Sequence, residues 1–232
     1  MDENTYQQFA EDKLGVSFND VSLLITAFTH RSYLNEHRKS VSSHNERLEF
    51  LGDAVLEMVV TEFLYTNYTD PEGVLTNWRS SLVRTESIAQ AASKFDFEPM
   101  LRLSKGEMRG TDRARIQILA NSFEAVVGAI YIDGGYEKAK QFITSSIIST
   151  FEHILESGSW MDPKSHLQEL AQRHETATPL YRIISEEGPD HDKIFTVGVY
   201  VNNQLRGQGT GPSKQAGQQK AAEAALSHYK DS

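Results

Sequence analysis

Hydrophobic residues recur at intervals of three and four from Gln7 to about Ile154, which is the spacing of helices with one buried face. Segments that combine acidic residues with Gly or Pro interrupt the pattern at 70–73, 97–99 and 133–135 and predict turns between helices. The region has no convincing stretch with the two-residue period of a half-buried strand. The pattern therefore predicts an all-helical domain over residues 1–155.

The pattern changes at residues 156–161, a short polar segment just before Pro163 that is predicted to be a linker. Beyond it, runs of Tyr, Ile, Phe, Thr and Val partly alternate with polar residues, and a helical segment lies on either side of them. The predicted order is helix 163–174, strands 180–187, 193–201 and 204–209, and helix 213–229. Residues 162–232 are therefore predicted to form a small α+β domain with the order α-β-β-β-α.

The segment from Asn45 to Tyr65 predicts a helix with an acidic stripe on an otherwise apolar surface. At about 100° per residue, four acids fall within an arc of roughly 80°: Glu46, Glu49, Asp53 and Glu57. Like charges four residues apart destabilise a helix, and no basic residue of the segment shares the stripe. A solvated surface is the ordinary explanation. The alternative is a divalent cation, which would relieve the repulsion and prefers oxygen ligands.

A second segment, Ile116 to Ile132, is apolar nearly all round and is predicted to be a buried central helix. Its candidate oxygen donors, Asn121 and Glu124, are three residues apart and so share one face. A buried carboxylate is unfavourable unless it is paired, hydrogen-bonded or bound to metal, and pairing with a neighbouring Arg remains an alternative. If the two helices pack together, the donors that could converge on one metal ion are Glu49, Asp53, Asn121 and Glu124.

Composition narrows the function classes. The chain has no cysteine, which excludes disulfides, thiolate zinc sites and thiol nucleophiles. The longest apolar run, 125–132, is too short to span a bilayer and the first residues do not resemble a signal peptide, so we expect a cytoplasmic protein without a membrane partner. The most basic stretch of the first domain, Arg102 to Arg115, is either a solvated loop or a contact for a phosphate backbone.

The net charge of −9 argues against a partner as acidic as nucleic acid, but the charge is unevenly distributed. Residues 1–160 hold 15 basic and 23 acidic residues, a net of −8, whereas residues 161–232 hold 8 and 9, a net of −1. The excess lies in the half that would gather cations. We therefore expect any binding of nucleic acid to depend on divalent metal more than on a broad basic surface.

The run from Glu46 to Ala54, ERLEFLGDA, resembles the signature of ribonuclease III, the family of double-strand-specific RNA endonucleases that includes Dicer-type enzymes. Flanking segments extend the resemblance: Thr29 to Tyr33, Glu72-Gly73, Leu82 to Arg84 and Ala120 to Asp133. The last 70 or so residues resemble the double-stranded RNA-binding domain that follows the nuclease domain in bacterial members.

The resemblance implies an all-helical nuclease domain that forms a homodimer, with Phe50 at the dimer seam. It implies that Asp53 and Glu124 are catalytic, and that Glu46 and Glu72 lie near the RNA. The implied ligands of Mg²⁺, for which Mn²⁺ is a plausible substitute, are Glu49, Asp53, Asn121 and Glu124. Family members more often have Asp where this chain has Asn121, so we expect weaker metal binding. No organic cofactor is expected.

For the second domain, the resemblance implies minor-groove contacts by Gln168, Glu169 and His191. It implies phosphate contacts by Ser213 and Lys214, at the start of the last helix. Gln215 and Gln218 stand where many members have Lys or another strongly polar residue. We therefore expect modest affinity and a shallow salt dependence for this domain alone.

The expected function is Mg²⁺-dependent cleavage of double-stranded RNA to staggered 5'-phosphate and 3'-hydroxyl ends, in the processing of ribosomal RNA precursors and other structured RNAs. The alternative is a double-stranded-RNA-binding protein with reduced or lost cleavage, which Asn121 favours. A helical scaffold with an incidental acidic groove would bind no duplex at all.

Overall fold

The computed structural model describes residues 2–37, 42–158, 160–189 and 193–229. The chain divides into two compact units, Met1–Ile154 and Leu155–Ser232. The expected order of a helical domain followed by an α-β-β-β-α domain is confirmed. Helix α8 ends at Ser157, inside the segment predicted to be a linker.

The first unit is helical throughout its regular elements. Its α-helices are α1 (Glu3–Phe9), α2 (Val21–Ala27), α3 (Arg31–Glu36), α4 (Glu46–Asn67), α5 (Glu72–Val83), α6 (Thr85–Lys94) and α7 (Asp112–Ser146), and α8 (Phe151–Ser157) crosses into the second unit. Short π or 3-10 turns lie at Ala10–Leu14, Glu98–Met100, Glu107–Arg109 and Ile148–Thr150. The two segments singled out in the sequence are thus α4 and the first half of α7.

Helix α7 forms the centre of the first unit, as its apolar circumference predicts. Phe123, Val126 and Ile130 are fully buried, and the Phe123 ring stacks on Phe97 and Phe142. The helical run Asp112–Ser157 is long and apolar enough to cross a membrane, but 61% of its most apolar window is buried, which is typical of a core helix.

The glycines after Asp133 bend α7 rather than end it. Gly135 has a φ of 77°, a left-handed value that a side chain would oppose. The Asp133 carboxylate just before the bend accepts hydrogen bonds from the backbone N–H groups of Asn19 and Asp20. These bonds fix the segment before α2 against the bend.

The second unit packs two helices against one sheet. Its elements are α9 (Pro163–Glu175), β1 (Leu180–Glu187), β2 (Ile194–Val201), β3 (Gln204–Gly211) and α10 (Lys214–Leu226). The strands form an antiparallel sheet in the order β1-β2-β3, and Asn202 and Asn203 make the β2–β3 turn with φ values of 49° and 62°. The small core lies between sheet and helices: Leu167, Val199, Ala221, Ala222 and Ala225.

Candidate functional site

Helices α4 and α7 touch through their backbones where Gly52 faces Gly128. A Cβ atom at Gly52 would lie 1.7 Å from the carbonyl oxygen of Glu124, and one at Gly128 would lie 2.3 Å from that of Leu48. Only glycine allows so close an approach. The crossing therefore brings together the side chains that lie within about one turn of Gly52 on α4 and of Gly128 on α7.

The carboxylates near this crossing interact electrostatically. Burial, together with the negative charges of Asp53 and Glu49, raises the pKa of Glu124 to about 7. Burial also raises the pKa of Glu49, with Glu46 and Asp53 adding to the shift and hydrogen bonding from the Asn121 side chain opposing it. Two helices far apart in sequence thus bring the carboxylates of Glu49, Asp53 and Glu124 close enough for their charges to raise the pKa values of Glu49 and Glu124.

This central group has no basic partner among the residues that the structure describes. Within the described parts of the chain, no ion pair includes Glu49, Asp53 or Glu124. The alternative of a buried Glu124 satisfied by a neighbouring Arg is therefore not what the structure has. Uncompensated carboxylates held together by a rigid crossing are a common property of cation and catalytic sites.

Asn121 is held by a residue that sequence reasoning missed. Its Oδ1 accepts a hydrogen bond of 2.7 Å from Nε2 of Gln117, one turn earlier on α7. A carboxamide oxygen has two lone pairs, so a cation bound by Asn121 would share this oxygen with Gln117. The four-residue spacing was the signal that could have revealed the pair.

The donors fit a hard divalent cation. Three carboxylates and one carboxamide offer oxygen ligands of the kind that Mg²⁺ and Mn²⁺ prefer, and Mg²⁺ usually keeps several waters besides its protein ligands. Among the described residues, no group of three or more His, Cys, Asp or Glu side chains is arranged so that it could hold a metal ion as it stands. The donors of the two helices therefore lie near one another without forming a ready-made metal site.

Both ends of the acidic stripe differ from its centre. Glu46 lies 3.4 Å from Nη1 of Arg31, and Glu57 lies 3.1 Å from Nε of Arg79. Glu72, the first residue of α5, accepts a hydrogen bond from Thr76 on its own helix. The predicted RNA-proximal acids Glu46 and Glu72 thus have partners of their own.

An apolar strip follows the exposed side of α4. Phe50 is 82% exposed, Met58 62% and Tyr65 81%. These positions fall within about 80° of one another around the helix. Beside the strip is a pocket of about 400 Å³ lined by Glu57, Met58, Thr61, Glu62, Tyr65 and Arg79.

The five basic residues of the stretch Arg102 to Arg115 have different surroundings. Arg102 lies 4.5 Å over the ring of Tyr33, and Arg115 pairs with Glu98. The other three cations are exposed on the surface of the first unit: Lys105, Arg109 and Arg113.

In the second unit, the predicted contacts of α9 are exposed. Gln168 and Glu169 help to line a surface pocket of about 660 Å³ together with Ser165, Gln172 and Arg173. His191 lies outside the described residues.

The start of α10 combines a helix cap with a cation. The Ser213 hydroxyl accepts a hydrogen bond from the backbone N–H of Ala216 and caps the helix. Lys214 is exposed, and its Nζ lies 3.6 Å from the Glu186 carboxylate and 5.6 Å from the Phe195 ring centre.

Family models match both units. A model described as ribonuclease-III-like covers residues 20–151, and one described as a double-stranded RNA binding motif covers residues 163–229. The chain belongs to the ribonuclease III family. It is thus an endoribonuclease with a double-stranded RNA-binding module, and the converging carboxylates lie in its nuclease domain.

Relatives extend over nearly the whole chain. Ribonuclease 3 of Enterococcus faecalis is 44% identical over 93% of this chain and 94% of its own. Ribonuclease 3 of Streptococcus gordonii is 46% identical over 93% of both chains. Among solved structures, the nuclease domain of ribonuclease III from Campylobacter jejuni has a TM-score of 0.56 at 36% identity, and the match covers 62% of this chain and 98% of that domain. The curated relatives therefore match this chain across both of its units.

Proposed function

We propose that this ribonuclease III cleaves double-stranded RNA with Mg²⁺ bound at the α4–α7 crossing, where Mn²⁺ is a plausible substitute. One observation carries the proposal: the backbone contact at Gly52 and Gly128 brings together three carboxylates that no described basic side chain compensates. The proposed ligands are Glu49, Asp53, Asn121 and Glu124, and Asp53 and Glu124 are the catalytic pair.

In the proposed mechanism, the chain supplies position and charge rather than a nucleophile. Mg²⁺ bound here would make a water nucleophilic at neutral pH and stabilise the leaving 3'-oxygen. Asp53 and Glu124 would hold the reacting groups from facing helices, and Gln117 would orient the Asn121 carboxamide through their hydrogen bond. Breaking the P–O3' bond leaves 5'-phosphate and 3'-hydroxyl ends.

The proposed RNA contacts extend over both units. Because A-form RNA hides its bases in a narrow major groove, a protein reads the minor groove and the phosphates. We assign minor-groove contacts to Gln168, Glu169 and His191, and phosphate contacts to Ser213 and Lys214. In the nuclease domain, Glu46 and Glu72 would lie near the RNA, and the exposed cations between Arg102 and Arg115 would contact its backbone.

We also propose that the enzyme is a homodimer through the apolar strip of α4. Three large apolar side chains exposed by more than half on one helix form an unusual surface for a free domain. The Campylobacter jejuni nuclease domain is described by its region of dimer formation. With Phe50 at the seam, two active sites would each cut one strand and leave staggered ends.

The proposed domain boundaries are a nuclease domain at 1–155, a linker at 156–161 and an RNA-binding domain at 162–232. We infer that the substrates are structured RNAs in the cytoplasm, such as ribosomal precursors, because a double-stranded RNA binding motif recognises duplex shape rather than base sequence.

A cleavage assay on a long perfect RNA duplex tests the proposal. We expect cleavage products in Mg²⁺, slower formation of products in Mn²⁺, and no products in EDTA. The product ends should be ligated directly, because ligation requires both a 5'-phosphate and a 3'-hydroxyl. Duplex binding without any Mg²⁺-dependent product would instead favour an RNA-binding protein that has lost cleavage, the role that Asn121 favours.

A further inference from the structure

A lysine outside α10 supplies positive charge beside the second turn of that helix. Lys164, in the first turn of α9, donates from Nζ to Oε1 of Gln218 at 2.8 Å. Gln218 is a neutral residue of α10, one turn after Lys214. The structure thus brings a cation to a place where α10 itself has none.

The charge of Lys164 is less compensated than that of Lys214. Lys214 lies 3.6 Å from the Glu186 carboxylate, whereas no carboxylate forms an ion pair with Lys164 in the part of the chain that the structure describes. The other close partner of Lys164 is the Tyr181 ring, 5.1 Å from Nζ. The neighbouring acid Asp162 accepts hydrogen bonds from the backbone at the start of α9.

These neutral partners hold the lysine in place without neutralising it. The Lys164 side chain is half-buried, so its stem is packed while the ammonium group keeps its charge. An ammonium group has three donors, and the bond to Gln218 uses one of them. Within the described residues, no second hydrogen bond from Nζ competes for the remaining donors, which a phosphate oxygen could accept.

The position of Lys164 matches the shape of the proposed ligand. Lys164 and Gln168 are four residues apart on α9 and share one face of that helix. The ammonium group thus lies beside the second turn of α10, on a residue that shares a helix face with the proposed minor-groove contact Gln168. In an A-form duplex, the phosphate backbone borders the minor groove.

We propose that Lys164 binds a backbone phosphate of duplex RNA and supplies the charge that Gln218 lacks. This inference rests on the proposed placement of Gln168 and Lys214 against the RNA. The competing role for Lys164 is structural, as a tie between α9 and α10 with no contact to RNA.

Lys220 provides a matched control. Gly209 of β3 packs so closely on α10 that a Cβ there would lie 2.5 Å from Cβ of Lys220. The side chain of Lys220 therefore starts on the face of α10 that packs on β3, whereas Gln218 lies on the face that contacts Lys164 of α9. Both lysines belong to the same unit, so Lys164→Gln and Lys220→Gln each lower the net charge of that unit by one.

The test measures the affinity of the full chain for a perfect RNA duplex in a low, fixed concentration of Ca²⁺, between 50 and 200 mM monovalent salt, with the RNA checked for integrity. Loss of one phosphate contact reduces the slope of log K against log salt by about 1. The deficit of Lys164→Gln should therefore be about three- to fourfold larger at 50 mM than at 200 mM salt. Lys164→Arg should retain the wild-type slope, and Lys220→Gln should leave it unchanged.

Three outcomes would overturn the inference: unchanged affinity in Lys164→Gln, an equal loss at every salt concentration, or the same slope change in Lys220→Gln. An equal loss accompanied by a lower melting temperature would assign Lys164 the structural role. If the unmodified chain fails to bind the duplex, the proposed function fails as well. If it binds and Lys164→Gln behaves like wild type, the inference alone fails.

Discussion

The α4–α7 crossing and the RNA-binding unit use charge in opposite ways. At the crossing, Glu49, Asp53 and Glu124 face one another without a described basic partner. In the RNA-binding unit several charges are paired: Glu186 lies near Lys193 and Lys214, and Glu175 binds Arg206. The net charges of the two halves do not indicate which side chains are paired and which are not. What marks a site is local charge that the fold leaves uncompensated.

The two regions also differ in rigidity. At the crossing, the backbones of α4 and α7 are in contact, so the carboxylates are set by the packing of the core. The proposed RNA contacts lie on the exposed surfaces of α9 and α10, where single side chains can adjust to a ligand. We therefore expect substitutions at the crossing to have larger effects than substitutions on the RNA-binding surface.

The largest expected effect comes from Glu124→Ala, which removes the carboxylate at the centre of the crossing. We expect it to abolish Mg²⁺-dependent cleavage and to leave duplex binding in Ca²⁺ largely intact, because the RNA-binding unit is unchanged. Cleavage and binding are measured on the same perfect duplex. Glu57→Gln is the control, since Glu57 belongs to the same stripe but pairs with Arg79. Unchanged turnover in Glu124→Ala would refute the assignment of the site.

The next largest effect should come from Gly52→Ala, which tests the contact between the helices. The new Cβ would lie 1.7 Å from a carbonyl oxygen, so the helices must move apart. Overpacking of this kind lowers the free energy of unfolding by about 1–3 kcal/mol or more. The melting temperature should fall by roughly 2–4 °C for each kcal/mol, and cleavage should fall with it.

Gly73→Ala is the control for that substitution. A Cβ at Gly73, in α5, meets nothing within 4 Å. Alanine there should leave stability unchanged or raise it by up to about 1 kcal/mol. If both variants melt alike in a thermal scan, the backbone contact does not hold the crossing together.

A smaller effect is expected for Asn121→Asp, which sharpens the assignment of the ligands. A fourth carboxylate adds one negative charge, and Gln117 can still donate to it. We expect affinity for Mn²⁺ to rise on the order of tenfold, since ligand charge tunes such sites. Titration followed by electron paramagnetic resonance measures it without cleavage. An unchanged affinity would place residue 121 outside the coordination sphere.

Local sequence rules predicted the secondary structure because local physics sets it. Strand β1 begins and ends where the sequence predicted, and Asn202-Asn203 makes the predicted turn because both residues tolerate positive φ. The sequence alone could not predict that α4 packs against α7, because this packing depends on the tertiary contact at Gly52 and Gly128.

The partners of the acidic stripe could not be predicted at all. The helical spacing places four acids on one stripe, but Arg31 of α3 and Arg79 of α5 compensate its two ends. Both cations come from other helices, so no periodicity within α4 indicates them. The same holds for Lys164 and Gln218, which are 54 residues apart. Tertiary packing thus decides which of several similar charges are left for function.

The smallest predicted effect is a pH dependence of stability, and it follows from the raised pKa of Glu124. In chelator, the folded chain holds this proton up to a pH of about 7, whereas the ordinary value for an unfolded Glu is 4.5. Between these values the folded state binds more protons than the unfolded state, so the free energy of unfolding falls as the pH rises. The lowered pKa values of His30 and His166 act with the opposite sign in part of this window.

A difference measurement separates these contributions. Glu124→Gln keeps the size of the side chain and removes its titration, while His30 and His166 stay unchanged. The melting temperature of this variant in EDTA, relative to wild type, should therefore increase from pH 5 to pH 7 by a few degrees at most, since partial solvation of the group weakens the effect. The gap should close when Mn²⁺ is added, because a bound cation favours the ionised carboxylate of the wild type. A gap that stays constant across this range would mean that Glu124 is ionised throughout and that the crossing is more open to water than its packing indicates.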